Sequence, residues 1–205
     1  MLVRRLGMPS ETDSWKEMQD KLKEAVWADL SRKKWDQISL ETVADDLLID
    51  PTQARLAAGN KMKLVLDKLS ELDRQALAES HEDFSEDPDA TMHDKLLEGS
   101  LHRFEIYQPY KSQIRHLHAA AMRDPKLGMK LIASLKLTVD QLLCICGDKQ
   151  PSLQRHIRLK GLTALLMSVR SDWLADDSSD MAKTAKILDK RLKQAAEWAE
   201  SFQIV

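Results

Sequence analysis

Apolar residues recur along this chain at spacings of three and four, the period of a helix with one buried face. The first stripe runs through Trp15, Met18, Leu22, Val26 and Leu30. With Ser10 or Thr12 as its cap, it predicts a helix ending at about Ser31. Trp35 and Ile38 pack in the connection that follows, and Ser39 caps a short helix with Leu40, Val43, Ala44 and Leu47 turned inward. Leu48, Ile49 and Asp50 make a turn. Asp50-Pro51 then opens a third helix, since aspartate satisfies the first free amides and proline lacks the amide that would otherwise be orphaned. Gly59 stops that helix, and Asn60 caps a long one carrying Leu64, Leu66, Leu69, Leu72 and Leu77.

An acidic stretch with a proline, HEDFSEDPDA at 81–90, marks the expected boundary between a first domain, 1–80, and a second, 81–205. Five more helices are predicted beyond it, at about 90–107, 109–123, 125–146, 152–174 and 180–202. Asp124-Pro125 and Pro151-Ser152 are start signals, Gly147 is a stop, and DDSSD at 176–180 is a turn and cap cluster. No segment alternates as a strand, so the fold class is all-α. Two short helices, a tight turn and a capped long helix in residues 39–65 are a helix-turn-helix signal.

Composition narrows the function. Six glycines and six prolines in 205 residues leave long stretches uninterrupted, and 43% hydrophobic residues suffice for a packed core. No apolar run is long enough to span a bilayer, and the first residues lack an apolar signal segment, so a cytoplasmic protein is expected. Cys144 and Cys146 are the only cysteines; at i, i+2 on a helix they point apart and read as reduced, buried apolar residues. The formal net charge is -2, and residues 1–63 hold eleven basic and eleven acidic side chains. That balance argues against strong nonspecific DNA affinity, which phosphate neutralisation supplies.

Catalytic and metal signatures are missing. No GxSxG, phosphate loop or dinucleotide fingerprint stands in context, so no enzyme activity and no cofactor are implied. His116 and His118 sit at i, i+2 and do not share a helix face; with His81, His93, His102 and His156 they form no ligand pattern, and no metal site is expected.

The arrangement resembles the TetR family of transcriptional regulators. Ser39-Leu40 and Val43-Ala44 stand where that family has a hydroxyl residue, an apolar residue and an Ile-Ala pair. Leu48-Ile49-Asp50 stands for its Gly-Val-Ser turn, and Gly59-Asn60-Lys61 with Leu64-Val65 for the start of its fourth helix. Further cues lie in Arg103-Phe104, Gln108-Pro109, Arg123-Asp124-Pro125, 173–178 and 188–192, so the likeness covers nearly the whole chain. Arg55 and Ala58 depart from the Tyr and Phe of the family's recognition helix, and Leu48 replaces the turn glycine.

The resemblance implies a homodimer that binds double-stranded operator DNA and is controlled by a small apolar or lipid-like ligand. Thr52, Gln53 and Arg55 are the candidate groove contacts, with Lys61 on phosphate. The basic segments Arg4-Arg5 and Arg32-Lys33-Lys34 read as ordinary surface charge, with contact to the DNA backbone as the alternative. Phe104, Tyr107, Leu131, Leu135, Val139 and Leu142, with Cys146, are candidate ligand contacts. The dimer interface is expected on Leu162, Leu165, Leu166, Val169, Trp173, Leu188, Leu192 and Ala195, which would pair as a four-helix bundle. The alternative is a lipid-binding accessory protein of ubiquinone biosynthesis, a family that shares the fold without binding DNA. Lys34-Trp35 and the 188–192 stretch resemble it, whereas the polar stretch expected after Gly147-Asp148 is missing.

Overall fold

Several helices start where a side chain satisfies their first amides. In the computed structural model, which describes residues 11–148, 153–178 and 180–201, nine α-helices are present among the described residues and no strands. They are α1 Glu11–Asp29, α2 Leu40–Asp46, α3 Pro51–Ala58, α4 Lys61–Glu86, α5 Met92–Tyr107, α6 Lys111–Ala121, α7 Pro125–Ile145, α8 Leu153–Leu174 and α9 Ala182–Ser201. The Thr42 amide donates to Ser39 Oγ (3.0 Å), and the Thr52 and Gln53 amides to Asp50 Oδ1 (2.9 and 3.0 Å). Asp124 serves α7 in the same way, and Thr91 with Asp94 closes a reciprocal capping box on α5. Arg4 and Arg5, and the cap residue Ser10, lie outside the described residues.

The chain divides into two compact units between Lys68 and Leu69, inside α4. In the first unit α1, α2 and α3 pack on one another. Leu22, Val26 and Leu30 are fully buried, as their spacing predicts, whereas Trp15 at the start of the stripe is exposed. Ala54 and Ala58 seat α3 in this core without any exposure, so the position where the TetR pattern has Phe is filled by a methyl group. The turn between α2 and α3 puts Leu48 at φ 56, the left-handed region that favours glycine, with its side chain 95% exposed.

The second unit is a helical bundle. Its hydrophobic centre includes Phe104, Leu127, Val139, Leu143, Leu166, Val169, Trp173 and Leu188. Phe104 and Trp173 meet at 5.4 Å between ring centroids. At Gly99 the helices approach closely: a Cβ there would lie 2.5 Å from Leu142 Cδ1 and 3.3 Å from Ser80 Oγ. Two buried carboxylates tie down loops. Asp148 takes a two-pronged contact from Arg158 (2.7 and 2.9 Å), joining the residues just past the end of α7 to α8. Asp176 accepts from the amide and hydroxyl of both Ser178 and Thr184, which fixes the entry to α9. These hydrogen bonds, Ser178's first and then Thr184's, hold the Asp176 carboxyl far below the ordinary carboxylate range.

Candidate functional sites

The first unit presents α3 with Thr52, Gln53 and Arg55 exposed, and Leu56 beside them at 73% exposure. Arg55 Nη2 donates to Glu41 Oε1 of α2 at 2.6 Å, and this hydrogen bond is the main reason the Glu41 carboxyl titrates below its usual value. Asp45, Asp46 and Asp50 are also exposed on α2 and the turn. Lys61 is used differently from the expected phosphate contact. Its ammonium donates to the carbonyls of Trp35 and Ile38, both at 2.6 Å, and lies 4.3 Å from the centre of the Trp35 ring. The lysine therefore staples the α1–α2 connection to the start of α4. Arg32 and Lys34 stand exposed on that connection.

Four of the predicted ligand contacts come together in the second unit. Phe104, Tyr107, Leu131 and Leu135 line a cavity of about 190 Å³ between α4, α5, α6, α7 and α8. Val139 and Leu142 do not: both are buried core, Leu142 against Gly99. Cys146 is also buried away from the cavity, and that burial pushes its thiol up to about 12; Cys144, expected inside, is exposed. The expected lining was apolar, yet the wall carries Asp73, Arg103, His118 and Arg170. Asp73 Oδ1 accepts from Arg103 Nε (2.8 Å) and from the Tyr107 hydroxyl (2.9 Å), while Oδ2 accepts from Thr138 Oγ1 (2.6 Å). This network links α4, α5 and α7. Burial raises the Tyr107 phenol well above its usual value, so it stays a neutral donor. Periodicity could not reveal the network, because its members are far apart in sequence and alternate with apolar neighbours.

The expected interface residues are mostly inside the chain. Leu162, Leu166, Val169, Trp173, Leu188 and Leu192 are buried by the protomer's own helices, so they have no apolar surface left for a second copy. Leu165 is half-buried and Ala195 exposed. The exposed side of α8 and α9 instead shows Leu153, Ile157, Gly161, Ala164 and Trp198. Counting spacings finds the apolar stripe of a helix but not which neighbour covers it.

One histidine grouping was hidden in the sequence. Asp83, Glu98 and His102, from α4 and α5, bring ligating atoms within 4.8 Å of one another. Glu98 is exposed, and His102 Nδ1 already meets Ser80 Oγ at 3.0 Å while its Nε2 lies 3.2 Å from Asp83, so hydrogen bonding accounts for the placement of the His102 ring.

No protein-family model matches the chain, and no curated protein matches it in sequence. A solved structure does match: the TetR transcriptional regulator from Nitrosomonas europaea ATCC 19718, at a TM-score of 0.68 over 88% of this chain and 98% of that one, with 14% identity. The fold is TetR-like. A TetR-like fold accounts for the helix order, the capped α3 and the helical second unit in one scheme. No helix among the described residues is long and apolar enough to cross a membrane.

Proposed function

We propose that this protein is a cytoplasmic, one-component transcriptional regulator: a homodimer that binds operator DNA through α3 and whose DNA affinity is set by a small ligand in the second unit. The observation that carries the reading is α3 itself. It is capped by Asp50, anchored by Ala54 and Ala58, and holds Thr52, Gln53 and Arg55 exposed together. Arginine recognises guanine and glutamine recognises adenine by paired hydrogen bonds in the major groove. The Glu41–Arg55 pair is exposed on both sides, so Arg55 can exchange its carboxylate for DNA at little cost. Lys61 supports the fold in this reading, leaving phosphate contacts to Arg32 and Lys34. The outer side of α8 and α9, with Leu153, Ile157, Ala195 and Trp198, is the proposed dimer face.

The lipid-handling alternative calls for a long apolar tunnel. A cavity of about 190 Å³ with two guanidinium groups in its wall suits a small ligand better. The test is anisotropy of labelled duplex from the region upstream of the protein's own gene against scrambled duplex, over a salt series. Specific binding weakened about 10- to 100-fold by Arg55→Ala supports the reading. Equal affinity for both duplexes at low salt overturns it.

A further inference from the structure

The charges around the cavity do not cancel. Its wall holds one carboxylate, Asp73, and two guanidinium groups, Arg103 and Arg170. Asp73 is committed to Arg103, Tyr107 and Thr138 through both of its oxygens. Arg170 makes no hydrogen bond or ion pair with any described residue, and its Nε is shielded from solvent. A buried donor without an acceptor is rare in folded proteins and costly to keep, and a guanidinium stays charged wherever it sits. Burial, and then the like charge of Arg103, both oppose the charge on Arg170. An anion placed against it would relieve both effects.

His118 lines the same space, and burial followed by the Arg170 charge lowers its proton affinity. It is neutral near pH 7 and adds a hydrogen-bonding group rather than a second charge. The surplus is therefore one positive charge. Apart from Ser134 the remaining wall is apolar and aromatic, with exposed Met122 and Ile132 marking where the cavity meets the surface. In size, about 190 Å³ compares with a cavity of roughly 150 Å³ that accommodates benzene.

We propose that this cavity binds a small organic monocarboxylate, its carboxylate on Arg170 and its compact apolar body among Phe104, Leu131, Leu135 and Trp173. The planar guanidinium fork matches a carboxylate in two-point geometry. One negative charge brings the cavity to neutrality, whereas a dianion overshoots it. The proposal rests on the regulator reading only for its consequence on DNA.

Calorimetric titration and thermal melting of the full chain test it, with benzoate, hexanoate, benzamide and phenyl phosphate as probes. Benzoate or hexanoate is expected to bind at least about tenfold tighter than benzamide and phenyl phosphate, the gain of a charge-assisted contact. Arg170→Met is expected to erase that preference and to melt at or above the wild-type temperature, because no internal partner is lost. Leu135→Trp, which fills the cavity, is expected to abolish binding of all four. Benzamide or phenyl phosphate binding as tightly as either carboxylate overturns the proposal, as does binding of none. Arg170→Met keeping the preference, or melting far below wild type, also overturns it. DNA binding on the same samples separates the two readings: operator affinity without carboxylate binding sinks the ligand assignment alone, and carboxylate binding without operator affinity sinks the regulator reading alone.

Discussion

The helix-turn-helix surface and the cavity of the second unit each centre on an arginine, and the two are held in opposite ways. Arg55 is exposed and paired with a carboxylate, Glu41, that solvent also reaches. Arg170 is half-buried, and no described residue pairs with it. Water screens the first pair, so forming or breaking it changes little. Nothing screens the second cation to the same degree, so its isolation matters more. A paired surface arginine is thus a weak sign of function, and an unpaired arginine in a cavity wall is a stronger one. The contrast sharpens against Arg103, which shares that wall but has Asp73.

The largest expected effect tests that internal contrast. Asp73→Ala leaves Arg103 buried without its carboxylate and takes the shorter of two acceptors from the Tyr107 and Thr138 hydroxyls, which keep the Leu69 and Ser134 carbonyls. It should lower unfolding free energy in urea by about 3–5 kcal/mol, while Arg170→Met costs nothing comparable. If Asp73→Ala costs less than about 1 kcal/mol, the pair is not structural. Asp73 would then be as available to Arg170 as to Arg103, and the charge count in the cavity fails.

A second carboxylate compares a buried anion with Glu41. Asp176 is buried and accepts four hydrogen bonds; Glu41 is exposed and accepts mainly from Arg55. Asp176→Asn should cost about 2 kcal/mol near neutral pH, typical of hydrogen bonds to a charged group. The folded-state pKa of Asp176 is depressed. Its contribution is therefore fully present above the unfolded value of about 4 and is lost as pH falls below it. Wild-type urea midpoints measured from pH 6 to pH 2.5 should drop below about pH 4. Asp176→Asn should flatten that drop, and parallel curves for the two proteins would count against a native-state Asp176 held ionised.

How much of this was legible in the sequence follows the reach of each signal. Local signals carried far: Asp50-Pro51, Gly59 and Asp124-Pro125 sit at helix ends as predicted, because capping is settled within a few residues. The stripe Leu22, Val26, Leu30 faces inward for the same reason. Side-chain partners from other helices were not legible. Lys61 reads from the sequence as a phosphate contact, whereas its ammonium donates to two carbonyls of the α1–α2 connection. Leu188 and Val169 looked like interface because period alone does not say which copy of the chain covers a stripe. Nothing in the sequence singles out Arg170, since a lone arginine in a helix usually reads as surface; only the cavity makes it unusual.

The turn that aims α3 offers a smaller effect. Leu48 adopts a left-handed backbone with its side chain in solvent, so it contributes strain and no burial. Leu48→Gly should stabilise the protein by about 1 kcal/mol, the cost of placing a β-carbon in that region, and leave operator affinity unchanged. A loss of stability would mean that the exposed leucine makes a contact in solution, as in an assembly over the helix-turn-helix surface, and that this surface is not free for DNA.

The smallest effect on folding carries the finest distinction. Under the proposed function, Glu41→Gln removes a charge that would compete with DNA for Arg55 but keeps a group able to accept its hydrogen bond. Both side chains are exposed, so the urea midpoint should not move measurably. Operator affinity should rise on the order of threefold at low salt, because one phosphate-repelling charge is gone and Arg55 is easier to release. The gain should shrink as salt is raised and vanish in Arg55→Ala. If affinity falls instead, Glu41 is holding Arg55 in its DNA-reading position rather than competing for it. The surface pair would then be the preorganised element of the site, and the contrast with the cavity arginine would reverse.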